Sequence, residues 1–124
     1  IDVAADETVA IPGGVERLAL VKSCNVLVLK PMVLGGALNA LRIAKIAQAR
    51  KYRLVISHLF DGPIGLAAGM QLACALPYPP LACGLDEHPG LSIWPDALPA
   101  GMGANSFRLD ERPGLGLPLL QPVA

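Results

Sequence analysis

Asp6 and Lys30 each close a short apolar run. Ile1-Asp2-Val3-Ala4-Ala5 leads into Asp6-Glu7, and Val26-Leu27-Val28-Leu29 leads into Lys30-Pro31. A carboxylate can hold a divalent cation, and a lysine can move a proton beside it. A helix-length segment separates the two runs. If they are parallel strands joined by a helix, both residues reach the same rim of a sheet, where α/β folds and barrels carry out chemistry. Ser57 ends a third run, Leu54–Ser57, and can donate a hydrogen bond to a carboxylate. Gly62-Pro63-Ile64 then opens a helix whose free N–H groups suit an anion. Each residue also has a plain structural reading. Asp6 serves equally well as a solvated turn residue or helix cap, Glu7 as a surface acid, and Lys30 as a lysine snorkelling from a strand end. Gly62 and Pro63 suit ordinary capping and turn chemistry, and Asp61 suits a helix cap.

The framework around these groups is written in the residue pattern. Four β-like runs stand at about Asp2–Ala5, Val26–Leu29, Leu54–Ser57 and Leu81–Leu85. Helical patterns come after the first three. Val15–Cys24 comes after Gly13-Gly14, and Ala37–Lys51 repeats Leu38, Leu41, Ile43-Ala44 and Ala47 at near-helical spacing. Ile64–Leu76 is rich in small residues, with Pro63 suited to its first turn and Pro77 barring its continuation. Strands alternating with helices over short connections argue for parallel pairing with right-handed crossovers. The almost wholly apolar strands agree with that, since helices cover one face. Residues 1–85 thus form β/α units. Residues 86–124, rich in Pro and Gly, form an irregular tail packing on the same domain. Four such strands are half of an eight-stranded barrel, so the fold class expected is α/β, a half of a TIM-like barrel with about four parallel strands and covering helices.

Composition narrows the function. The chain has 124 residues, 53% of them apolar and only 16% charged, with no formal net charge. That is more oily surface than a domain of this size normally hides, which points to a partner surface or to a piece of a larger core. No basic stripe is present for nucleic acid. The three cysteines, Cys24, Cys74 and Cys83, are far apart and lack C-x-x-C spacing, so they read as reduced, buried thiols of a cytoplasmic protein. No apolar stretch runs unbroken to about 18 residues, so no membrane span is expected. The acidic start does not suit a signal peptide, and a chain opening on Ile1 without Met suits a start inside a longer sequence. Gly35-Gly36 lacks the spacing of a phosphate loop. His58 and His88 lie on different loops without ligand spacing and read as structural, and Trp94 as a packing residue.

Taken in order, Ala5-Asp6-Glu7-Thr8, Val28-Leu29-Lys30-Pro31 with Gly35-Gly36, the run Val55 to Leu66, and Arg112 to Leu117 resemble the enolase superfamily. Within it they are most similar to the muconate-lactonizing branch and to o-succinylbenzoate synthases. The resemblance covers nearly the whole chain. It implies a capping domain and a modified barrel, of which this chain holds strands five to eight. It implies Mg²⁺ held by three carboxylates on successive strands. Asp6 matches the last of these, with Thr8 where Ser is usual, and Glu7 is a neighbour able to orient the metal cluster. Lys30 matches the lysine on the next strand, an acid/base in racemases of the family and a cation over the substrate ring in the synthases. The implied reaction removes a proton beside a carboxylate, gives an enediolate, and dehydrates a cyclohexadiene carboxylate to o-succinylbenzoate in menaquinone synthesis.

The strand bearing the family's Lys-x-Lys is missing, and no Lys-x-Lys occurs in this sequence. The resemblance therefore implies that the isolated chain is inactive and needs the N-terminal half of the barrel as partner. The N-acylamino acid racemases and dipeptide epimerases are the alternatives within the family, although Asp86-Glu87-His88 stands where the epimerases carry Asp-x-Asp. A non-catalytic half-barrel that associates with itself or with a separate half is the alternative outside it.

Overall fold

The computed structural model describes residues 1–99, 102, 106–109 and 111–118. Three strands, β1 (Ala4–Ala5), β2 (Val26–Leu29) and β3 (Arg53–Ile56), lie side by side in that order, all parallel. Three helices connect or follow them: α1 (Gly14–Val21), α2 (Ala37–Ala49) and α3 (Pro63–Cys74). Short 3-10 segments occupy Glu7–Ala10, Pro89–Ile93 and Pro95–Ala97.

Two of the three helices, α1 and α2, end next to a residue whose backbone turns left-handed. Lys22 sits at φ 51° and its N–H donates to Leu18 O at 2.9 Å, which ends α1 before the expected Cys24. Lys51, at φ 65°, similarly lies beyond the end of α2. The buried stripe of α2 is Ala40, Ala44 and Ala47, each fully inaccessible. These lie at i, i+4 and i+7, and their small side chains let the helix approach the sheet closely. Near-helical spacing assigns Leu38 to that face, but it is 78% exposed. It stands two residues from Ala40, about 200° around the helix, and so points away. Pro63 takes the first helical position of α3, where its missing N–H costs nothing.

The register sorts the strand side chains into two faces. Ala4 pairs with Val26 and Ala5 with Leu27, while Leu27 pairs with Leu54 and Leu29 with Ile56. Alternation then puts Ala5, Leu27, Leu29, Leu54 and Ile56 together on the helix side. Leu27, Leu29, Leu54 and Ile56 are all at most 1% exposed and join Val15, Leu18, Ala40, Ala44, Ala47 and Leu72 in one core. Ala4, Val26, Val28, Arg53 and Val55 take the other face. There Ala4 is exposed and Val28 and Val55 are only half-buried, while Val26, on the central strand, is 3% exposed.

The fourth expected strand, Leu81–Leu85, is present only as one parallel bridge, Ser57 to Gly84. Leu81 N–H donates to Leu54 O at 2.8 Å and Gly84 N–H to Ile56 O at 2.9 Å. Three residues on one side thus span two on the other. The extra residue is a bulge-like insertion that breaks the ladder after one contact. Beyond it, Leu91 and Ala97 are buried, and Gln71 Nε2 donates to Gly114 O at 2.9 Å, which ties the later segment to α3. The cysteines are free, but none is fully buried as expected: Cys24 and Cys83 are half-buried, and Cys74 is exposed because it lies at the C-terminal end of α3. Partial burial raises the thiols of both Cys74 and Cys83 above the ordinary thiol range. Among the described residues no helix is long and apolar enough to cross a membrane.

At the N-terminal edge of the open face, Asn25 Nδ2 donates to Asp2 Oδ1 at 2.8 Å, Arg53 pairs with the same carboxylate, and Val3 N–H donates to Asn25 Oδ1 at 2.8 Å. The Asn25 hydrogen bond, aided by Arg53, holds the Asp2 carboxyl below the ordinary carboxylate range. A lowered folded value means that this contribution is complete above about pH 4 and fades as the pH falls through the lower folded value. Thermal unfolding between about pH 6 and about pH 3 is expected to show a smaller loss of Tm for Asp2→Asn than for the parent. Equal losses would mean the network carries no acid-sensitive stability.

Candidate functional site

The open face ends in polar groups at the C-terminal rim. Asp6 follows Ala5 out of β1 and Lys30 follows Leu29 out of β2. Alternation places them with Ala4 and Val28, on the face turned away from the helices. Lys30 Nζ donates to Asp6 Oδ2 at 2.5 Å, and the two side chains are 21% and 33% exposed. A charge-assisted contact at a partly exposed rim fixes the geometry of both groups more than it adds stability. The residues are 24 positions apart in the chain.

Local backbone fixes both ends. Asp6 is the N-terminal cap of the 3-10 segment Glu7–Ala10, and its carbonyl accepts from Val9 N–H at 2.9 Å. Val9 is 4% exposed and anchors that segment in the core. Lys30 opens a tight turn in which its carbonyl accepts from Val33 and Leu34 N–H, each at 3.0 Å. The turn reverses through Gly36, at φ 102° and ψ 171°, a conformation open essentially to glycine alone. Gly36 N–H closes it by donating to Pro31 O at 2.8 Å.

The other expected site residues are placed differently. Ser57 continues β3, with its N–H donating to Leu29 O at 3.0 Å, which puts it beside Lys30 at the rim. Its hydroxyl donates to Gly84 O at 3.3 Å, so its proton is already directed at backbone, and its lone pairs are the part left to face a ligand. Glu7 is exposed and makes no ion pair among the described residues. Gly62 caps α3 in extended conformation, with the Trp94 ring packed over it. The start of α3 is also where Asp61 lies: a Cβ added at Gly65 would come within 2.8 Å of Asp61 Cβ and 3.3 Å of its Oδ2. This sets a carboxylate beside the first turn of α3, where its charge opposes an anionic ligand at the same helix end.

Sequence spacing missed one cluster. His58 and His88 stack with ring centroids 5.2 Å apart, and Phe60 meets both edge-on. Gly90 N–H donates to His88 Nδ1 at 3.2 Å, which requires that nitrogen to be unprotonated, so Nε2 is the donor to Asp61 O at 2.9 Å. Phe60 is held at φ 53°, uncommon for a bulky residue. These residues join the loop after β3 to the segment after Gly84. Nothing in the separation of 58 from 88 announces it.

Asp6 offers one hard oxygen donor at a strand end, the right chemistry for Mg²⁺, which takes oxygen ligands in an octahedral set. Among the described residues no group of three or more His, Cys, Asp and Glu could hold a metal ion. The described residues therefore fit such an ion with Asp6 as one donor and not as a complete cage.

Comparison with known proteins places this geometry. The Enolase C-terminal domain-like family matches residues 1–122. The chain is 39% identical over 85 residues to an o-succinylbenzoate synthase of Thermobifida fusca, covering 68% of this chain and 26% of that protein. It is 27% identical over 124 residues to an L-Ala-D/L-Glu epimerase of Clostridium acetobutylicum, covering 94% of this chain and 32% of the other. The crystal structure of an N-succinyl Arg/Lys racemase from Bacillus cereus superposes with a TM-score of 0.80 at 18% identity, over 95% of this chain and 31% of that one, which shows the shared fold. The chain thus spans about a quarter to a third of the length of these relatives. Its α/β architecture is that of half a TIM-type barrel.

A rim ion pair and a core residue next to it should respond differently to removal. Lys30→Met is expected to change the unfolding free energy by about 1 kcal/mol or less, whereas Leu29→Ala is expected to cost about 2–5 kcal/mol. Urea unfolding of both variants checks this. A Lys30→Met loss as large as that of Leu29→Ala would make the pair a structural element.

Proposed function

The chain belongs to the Enolase C-terminal domain-like family, and from that footing we propose that it is the C-terminal part of a Mg²⁺-dependent lyase resembling o-succinylbenzoate synthase. The observation that carries the proposal is the Asp6–Lys30 contact at the mouth of adjacent parallel strands. A stand-alone surface pair has no reason to fall on the face turned away from the helices. A barrel in which that face becomes the interior does supply one.

Members of the superfamily generally use Mg²⁺, which when bound supplies Lewis-acid compensation for the negative oxygens of a carboxylate substrate. Asp6 is the residue of this chain that would contribute to holding it. Lys30 brings an ammonium to the same mouth, where a cation held in place in advance stabilises charge as it develops on the substrate. Asp6 orients that ammonium, and the turn through Gly36 fixes the backbone behind it. Ser57 supplies a hydroxyl oxygen at the next strand end. The remaining metal ligands, the proton-abstracting base and the rest of the barrel wall would come from the N-terminal half, so the isolated chain is inactive in this reading. The exposed Ala4 and half-buried Val28 and Val55 would then become barrel interior.

The similarity to an L-Ala-D/L-Glu epimerase favours a second reading, as part of an epimerase or racemase acting beside a carboxylate. Asp86-Glu87-His88 weighs against it: Asp86 Oδ1 accepts from the N–H of Glu87 at 2.8 Å and so is engaged locally, and His88 is held in its aromatic cluster.

Assay of protein containing this chain together with the rest of its barrel tests the proposal. Formation of o-succinylbenzoate from its cyclohexadiene precursor is expected, with Mg²⁺ required. Lys30→Ala is expected to lower kcat/KM by about 10²-fold or more. Full activity in Lys30→Ala would remove Lys30 from the site, and epimerisation of dipeptides without dehydration would favour the second reading. Calorimetric titration of the 124-residue chain with Mg²⁺ is expected to show weak or no binding.

A further inference from the structure

We propose that Gly14 is a positioning residue for Asp6, acting through a backbone contact that only glycine allows. The proposal rests on the reading of Asp6 and Lys30 as the site. β1 is two residues long and ends at Ala5, so no strand pairing of its own holds Asp6. Asp6 instead caps the four-residue 3-10 segment Glu7–Ala10, which comes directly after it. The geometry of that segment therefore decides where the carboxylate lies.

The segment is wedged from behind by the start of α1. Gly14 is buried, and a Cβ there would lie 1.9 Å from Thr8 O and 3.0 Å from Thr8 C, with Val9 Cα at 3.6 Å. The obstructing atoms are backbone, so no side-chain rotation relieves the clash. Gly14 N–H donates to Ile11 O at 2.7 Å, and Ile11 N–H donates to Thr8 O at 3.2 Å, which closes the intervening loop tightly. Any side chain at position 14 must push Thr8 away. Thr8 is two residues from Asp6 within one rigid turn, whose buried Val9 acts as the pivot. The displacement then reaches the carboxylate that accepts from Lys30 Nζ at 2.5 Å.

The neighbouring glycine provides an internal control. Gly13 has φ +73° and nothing within 4 Å of its would-be Cβ. Its requirement is conformational and does not touch the Asp6 turn. The requirement at Gly14 is space against a carbonyl. Two adjacent glycines thus answer different physical demands, and only one of them is coupled to the rim.

The side-chain ¹⁵Nζ and ¹³Cε resonances of Lys30 in the full chain provide the test, with Asp6→Asn as the reference for a broken pair. Gly14→Ala is expected to move the Lys30 signals most of the way to their Asp6→Asn positions, while Gly13→Asn, which keeps a residue tolerant of the left-handed backbone where no atom would meet its Cβ, leaves them near the parent positions. A folded Gly14→Ala protein with parent-like Lys30 signals would overturn the proposal. Should Gly14→Ala fail to fold, Val9→Ala, which loosens the pivot, is expected to shift the same signals in the same direction. Unmoved signals in that variant would equally overturn it. In protein containing the whole barrel, Gly14→Ala is expected to lower kcat at least tenfold with little change in KM. A shifted Lys30 signal with unchanged turnover would support the positioning role and overturn the reading of the pair as the site.

Discussion

The parallel register of β1, β2 and β3 governs where every functional group can go. Pairing Ala5 with Leu27, and Leu27 with Leu54, commits one set of side chains to the helices and the alternate set to the opposite face. A slip of one residue in β2 would carry Leu27 and Leu29 out of the core and Lys30 onto the helix side. Burial of the large aliphatic side chains, each worth about 1.5–3 kcal/mol, holds the register far more firmly than the rim ion pair does. The core therefore sets the site, and the site adds little to the core.

With the strand ends fixed, two short connections must still be held rigid. Backbone hydrogen bonds do much of this, helped by the buried Val9 side chain and by Asn39 Nδ2, which donates to Leu34 O at 2.6 Å. Gly36 lets the chain reverse directly behind Lys30, and the 3-10 turn after Asp6 lies against the start of α1 with no room for a Cβ. Each charged group is thus carried on a loop of few residues tied by hydrogen bonds between its own carbonyls and N–H groups. This is the arrangement expected where geometry must survive without an ordered ligand.

At the opposite end of the same face, the Asp2, Asn25 and Arg53 network closes the edge with polar contacts. Between the two polar ends lies a small apolar strip of Ala4, Val26, Val28 and Val55. The oily composition of the chain is partly explained by the uncovered part of that strip (Val26 in it is buried) and by Leu20, Phe60 and Tyr78, which are about two-thirds exposed or more.

How much of this is legible from residue order depends on whether the signal is local. The apolar runs, the Pro at the start of α3 and the near-helical spacing in α2 name the elements, because strand and helix periods are written into the order of residues. The contact of Asp6 with Lys30 agrees with chain connectivity, since parallel strands place both ends at one rim. Periodicity cannot show that Leu81–Leu85 shrinks to one bridge, because the insertion is visible only against the carbonyls of β3. Nor can it show that Asp61 folds over Gly65, that the Ser57 hydroxyl turns to Gly84, or that His58 meets His88. Those are distances between segments brought together by folding. Residue order alone thus names the groups at the strand ends and the apolar faces, because alternation and connectivity are local properties. Folding in three dimensions selects which of those groups touch, and separates the glycine needed for space from the one needed for conformation, because both outcomes depend on backbone arriving from elsewhere in the chain.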